Sequence, residues 1–225
     1  MQKRFSIIAL TLLIPAPTLG VLAGMIFLPD HPAGKTLFFA SKAWIFILPA
    51  AWRLLIEHRP ISLSPATKGG FTIAALLGLA ISAVLTIGYI AARPLIDPQS
   101  IRNMAQNTGL INPTIYLIGA AYWILVNSVL EEYVWRWFVV EKLETLVPSG
   151  LAVILSAAAF TLHHFIAMTV FFSLLVTAIA SLGVFTGGVI WSACYVRFRS
   201  IWPGYLSHAI VDLALFVIGY VLIFG

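Results

Sequence analysis

The chain has 225 residues, of which 61% are hydrophobic and only 9% charged, with a formal net charge of +5. Soluble domains carry roughly a quarter charged residues, so a water-soluble globule is excluded, and several apolar runs reach the roughly 20 residues that cross a bilayer core. The basic residues fall near the ends of those runs, which reads as topology and headgroup contact rather than nucleic-acid binding; the single cysteine, Cys194, excludes an internal disulfide framework and a multi-cysteine metal site.

Seven spans are predicted in chain order. Met1, Lys3 and Arg4 precede an apolar run that continues to Leu28, longer than a signal-peptide core. It is expected to be an uncleaved first helix, kinked near Pro15 and Pro17. Pro29-Asp30-His31-Pro32 breaks the chain before a second span, Thr36 to Ile56. A polar loop from Glu57 to Gly70 leads into a third, Phe71 to Ala92. The polar stretch from Arg93 to Pro113 includes Asp97 and is expected to hold a short surface helix around Pro98 to Thr108. A fourth span covers Thr114 to Val140, and a fifth, after Pro148-Ser149-Gly150, covers Leu151 to Ala167. The sixth lies within Val170 to Val196, either as one helix or as two shorter re-entrant pieces broken near Gly183, and the seventh covers Pro203 to Phe224. Gly183 and Gly187 form a small-xxx-small step, a weak signal for close packing. The expected fold is all-α, a polytopic membrane helix bundle of seven to eight transmembrane helices forming one domain over 1–225.

The positive-inside rule orients the bundle. With a cytoplasmic N-terminus, Lys3, Arg4, Arg53, Arg59, Lys68, Arg136, Lys142, Arg197 and Arg199 collect on the cytoplasmic side, against Lys35, Lys42, Arg93 and Arg102 on the other. Short loops and small size suggest a prokaryotic inner or plasma membrane.

The unusual residues are acids and histidines inside the spans. Glu131, Glu132, His163, His164, His208 and Asp212 lie on the fourth, fifth and seventh helices. A mid-membrane carboxylate costs at least about 2.5–3.5 kcal/mol and calls for a partner or a function. Glu132 and Arg136 are four apart and share a helix face, as do His208 and Asp212. Glu131 points about 100° from Glu132, so the two glutamates are expected to do different jobs. His163 and His164 diverge in the same way, so at most one is expected to face a common centre. At about 1.5 Å per residue, Glu131 lies about 16 Å from Lys142, Asp212 about 14 Å from Pro203 and His164 about 21 Å from Gly150. The groups can therefore meet near mid-membrane. Singly, each signal also fits a structural ion pair or a helix–helix hydrogen bond; together they define one candidate site.

These residues resemble the motifs of the CAAX prenyl endopeptidase and bacteriocin-processing (CPBP, or ABI) family of intramembrane proteases. Glu131-Glu132-Tyr133-Val134-Trp135-Arg136 resembles its Glu-Glu-x-x-x-Arg motif. Phe160-Thr161-Leu162-His163-His164 resembles Phe-x-x-x-His and selects His164 over His163. His208-Ala209-Ile210-Val211-Asp212 resembles the last motif, with Asp212 where many members carry Asn. The resemblance covers Asn127 to Leu215 and makes 114–225 the catalytic core helices. It implies an endopeptidase in which Glu131 and His164 activate a water, His208 donates to the oxyanion, Asp212 helps in its protonated form or, if ionised, orients His208 or keeps it charged, and Glu132 with Arg136 forms a supporting ion pair. The alternative role for Arg136 is attraction of a substrate carboxylate. The implied partners are a membrane-anchored protein or peptide substrate and membrane lipids. No cofactor is expected. Zinc is the rival within the family, since His164, His208, Glu131 and Asp212 are acceptable ligands, but no His-Glu-x-x-His motif is present. A proton-coupled transporter or an immunity or scaffold membrane protein is the non-enzymatic alternative.

Overall fold

A computed structural model describes residues 2–62, 64–96 and 98–225; Met1 and Asp97 lie outside the described residues. The described residues form helices and no strands. Seven helices are long and apolar enough to cross a membrane: α1 (Gln2–Phe27), α2 (Pro32–Ile56), α3 (Phe71–Ala91), α5 (Pro113–Glu144), α6 (Ser149–Thr169), α7 (Leu174–Phe198) and α8 (Ile201–Phe224). Between α3 and α5, α4 (Pro98–Asn107) is the short helix expected in the polar stretch. The chain is an integral membrane protein.

Local chemistry sets the helix starts. His31 and Asn112 each precede a proline at the first helical position and each accept hydrogen bonds from the freed backbone N–H groups that follow. Ser173 and Ser200 cap α7 and α8 in the same way. α1 loses its regular winding at Ile14, just before Pro15, and ends in π-helical turns over Leu22–Phe27. α7 is one continuous helix, so the two-piece alternative for the sixth span does not hold. Its close approach to α6 is made at Gly188, where an added Cβ would lie 3.2 Å from the Ala157 Cβ, whereas Gly183 faces open space. The packing step is therefore displaced from the expected Gly183–Gly187 pair.

α5 runs through the middle of the bundle. Val134 to Val140 is buried without interruption, and Trp135, Phe138 and Val139 pack into the main apolar core with Leu13 of α1, Phe160 of α6 and Trp191 of α7. α7 lies along α6, α8 along α3, and α1 along α2. Side chains such as Leu76, Val84, Ile87, Leu175, Ile179 and Leu182 point outward, as a bundle solvated by lipid requires.

α5 is wound in alternation: π-helical over Trp123–Asn127 and Tyr133–Val140, α-helical over Ser128–Glu132 between them. The two glutamates sit on that short α-helical piece. Single π turns occur often at functional sites because they rotate the side chains that follow.

One end of the bundle is tied by ion pairs. Arg53 of α2 bonds Glu57 and, at 2.9 Å, Glu141 of α5; Lys142 bonds Glu57; and Arg199 bonds Glu144. Part of the Glu57–Gly70 loop folds in beside them: the Ser200 hydroxyl donates to the Ser64 carbonyl at 2.6 Å, and the Ile201 N–H donates to the Ser64 hydroxyl. Gly70 adopts φ +99° against the Phe198 ring, where a Cβ would lie 2.7 Å from the ring, so only glycine fits there. Arg136, counted with this end in the sequence, is instead wholly buried inside the bundle.

Candidate active site

The six singled-out residues converge, but on two sides of α5. Behind it is a buried cluster. Glu132 and Arg136 are fully buried, with Glu132 Oε1 3.3 Å from Arg136 Nε. The same oxygen lies 3.1 Å from His208 Nδ1, so Glu132 serves two partners and not Arg136 alone. The Arg136 guanidinium lies over the rings of Phe160, at 4.7 Å, and Trp191, at 5.4 Å, faces that attract a cation. Trp191 in turn stacks on the His208 imidazole at 3.8 Å between centroids and donates its indole N–H to Ser207. This fit depends on Gly204: a Cβ there would come within 2.6 Å of Glu132 Oε2.

His208 faces three carboxylates. With Nδ1 on Glu132, its Nε2 lies 3.8 Å from Glu131 Oε2 and 3.7 Å from Asp212 Oδ2. Asp212 also meets Ser128, whose Oγ is 2.6 Å from Asp212 Oδ2 and 2.9 Å from the Trp123 carbonyl. The hydroxyl has one proton for two oxygens, and a carbonyl can only accept. If Ser128 donates to Trp123, the Asp212 contact requires the proton to come from Asp212.

In front of α5 is a cavity of about 200 Å³. Its polar lining comprises Ser41 and Lys42 of α2, Asn127 and Glu131 of α5, and His163 and His164 of α6. Asn127 donates to Glu131 Oε1 at 2.8 Å, fixing the carboxylate that joins the cavity to His208. Glu131 and His164 share this wall without approaching to the 4.0 Å of an ion pair. His164 Nδ1 is engaged with its own helix, 2.9 Å from the Phe160 carbonyl oxygen. Both adjacent histidines line the cavity, contrary to the expectation that only one would face the site. The reason is ring packing: His163 stacks on Trp135, with ring centroids 5.5 Å apart, and still touches His164, at 4.2 Å.

Asn127, Ser128 and Lys42 are site neighbours that the sequence reading passed over. Asn127 stands four residues before Glu131, the spacing that puts two side chains on one face, and could have been found on that ground. Ser128 and Lys42 had no comparable signal. A zinc ion does not fit the donor set: among the described residues no three His, Cys, Asp or Glu groups are placed to hold a metal, because His164 faces the cavity while His208 lies behind Glu131.

The chain is an intramembrane protease, as its membrane-crossing helices and the family model it matches indicate. Residues 113–214, which span α5 to the middle of α8, match the family model described as type II CAAX prenyl endopeptidase Rce1-like. Searches of curated proteins and of solved structures found no match.

Proposed function

We propose that this protein hydrolyses a peptide bond of a membrane-associated protein or peptide by metal-free glutamate catalysis, with the water held between Glu131 and His164. The observation that carries the reading is the position of Glu131. One of its oxygens is held by Asn127 at the cavity, and the other faces His208 across 3.8 Å. A water in the cavity that touches both Glu131 and His164 could give its proton to the carboxylate and attack a carbonyl carbon beside it. The oxyanion then formed needs a donor, a role given to His208 Nε2, which lies behind Glu131 at 3.8 Å from its second oxygen; collapse of the oxyanion breaks the C–N bond, and Glu131 returns the water's proton to the leaving amine. With Nδ1 donating to Glu132, donation from Nε2 calls for the imidazolium. Asp212 in its protonated form, bridging to Ser128, would keep the group next to His208 a donor, as the amide of Asn does. Glu132 and Arg136 hold His208 and do not touch substrate; Arg136 is too enclosed to meet a substrate carboxylate.

The fall in charge from one bundle end to the other also supports a cytoplasmic N-terminus, which would put the Arg53–Glu141 end in the cytoplasm. The test of the mechanism is cleavage of a membrane-reconstituted peptide substrate by Glu131→Gln. A loss of about 10³-fold or more is expected for removal of a general base that also positions the water; unchanged cleavage would overturn the reading, and inhibition by a strong chelator reversed by zinc would replace it with a metal mechanism.

A further inference from the structure

Ser128 opens the α-helical piece of α5 that carries the two glutamates, and it is wholly buried. A serine inside a helix commonly turns its hydroxyl back to the carbonyl four residues earlier. Here the π-helical winding over Trp123–Asn127 presents the carbonyl five residues earlier instead. The Trp123 carbonyl accepts the Ser128 N–H, and its second lone pair is open to the Ser128 hydroxyl at 2.9 Å. The backbone thus takes the hydroxyl proton. The Ser128 oxygen is left as an acceptor toward Asp212 Oδ2, 2.6 Å away and within the range of an O–H···O bond. The reverse arrangement, with Ser128 donating to an ionised Asp212, would set two acceptor oxygens 2.9 Å apart with no proton between them.

The Asp212 oxygen has a second neighbour. Oδ2 lies 3.7 Å from His208 Nε2, the nitrogen assigned above to the oxyanion. An ionised carboxylate in that place would draw the Nε2 proton to itself, because hydrogen bonds between charged partners are the strong ones. A carboxyl whose own proton is committed to Ser128 makes no such claim on it.

We propose that Ser128 is a positioning residue: it holds the proton on Asp212, and the neutral carboxyl leaves His208 Nε2 available to the oxyanion. Ser128 is fully enclosed and acts through Asp212 without meeting substrate. The inference rests on the protease reading above and extends it to the π turn, which supplies the Trp123 carbonyl.

The test uses the full chain in lipid nanodiscs, with carbon-13 at the side-chain carboxyls of its three aspartates, Asp30, Asp97 and Asp212. At neutral pH the infrared spectrum should contain a labelled carboxyl in its protonated form, and Asp212→Asn should remove that band. Ser128→Ala should replace it with the absorption of an ionised carboxylate. The second arm is turnover of a quenched-fluorescent peptide carrying a hydrocarbon anchor. Ser128→Ala should lower kcat about tenfold, as for the loss of one hydrogen bond, with KM little changed. In the Asp212→Asn background, where no charge can form, the same substitution should lower kcat less than about twofold. A purely structural role for Ser128 would give the same loss in both backgrounds and would overturn the proposal. So would a native spectrum without the protonated band, or a band that survives Ser128→Ala unchanged. The infrared arm needs no turnover, so cleavage that survived Glu131→Gln would remove the mechanism while the Asp212 proton is still read.

Discussion

The cluster behind α5, where Glu132, Arg136 and His208 meet, and the cavity in front of it, where Glu131, His164 and Lys42 stand, are built from the same residue types. They differ in what the charges face. Behind α5 the ions face one another and aromatic rings, with Glu132 and Arg136 at zero exposure. In front, the Glu131 side chain keeps 16% of its surface open, and Lys42 rests against aromatic faces. Consecutive residues of one helix therefore stand in different surroundings: Glu132 is enclosed by its partners, and Glu131 opens to the cavity. In the proposed mechanism the buried charge network is the back wall of Glu131, so that interactions at the front change during turnover without disturbing the pair behind.

The comparison can be broken from either side. The largest effect is expected in front, from Glu131→Gln: cleavage should fall by about 10³-fold or more while the thermal unfolding midpoint of the purified protein stays within a few degrees. If both fell together, Glu131 would belong to the structural cluster. Behind α5, Arg136→Met should destabilise the fold by about 3–5 kcal/mol, since it removes the guanidinium from a buried carboxylate and leaves it with His208 alone. Thermal unfolding in detergent would read this, and adding Glu132→Gln should recover part of the loss; no loss would mean that the pair carries no structural weight. Gly204→Ala drives a methyl toward Glu132 Oε2, an overpacking that should cost about 1–3 kcal/mol in the same measurement and displace His208, lowering kcat more than it raises KM. Asp212→Asn should have the smallest effect, with activity within about tenfold of the native chain, because an amide N–H can replace a carboxyl proton toward Ser128. Asp212→Ala should lose more, and if Asn were as damaging as Ala, the ionised carboxylate would be the working form.

Much of the fold was legible because lipid imposes a simple rule. Each span had to be a long apolar helix with its backbone bonds satisfied internally, so lengths, prolines and caps marked the seven crossings. The site was legible where spacing maps onto one helix face, as with His208 and Asp212, which are 3.7 Å apart. It was not legible where winding departs from the α pattern or where rings choose their own packing. The π-helical turns on either side of Ser128–Glu132 depend on neighbours from other helices. His163 was expected to turn away, and its stacking on Trp135 keeps it at the cavity. Lys42 was assigned to a helix end because charge alone does not reveal whether a lysine reaches out to headgroups or inward between aromatic rings.

The uneven winding of α5 has a consequence for how this protein can change. Each π turn holds one residue more than the α turn it replaces, so the segments Trp123–Asn127 and Tyr133–Val140 act as stored single-residue insertions around the two glutamates. Deleting one residue from the first would let the helix relax to ordinary winding and swing the wall that carries Trp123, and with it the seat of Lys42, relative to Glu131. Removal of a single residue there would thus reshape the front of the cavity while leaving Glu132, Arg136 and their buried support in place.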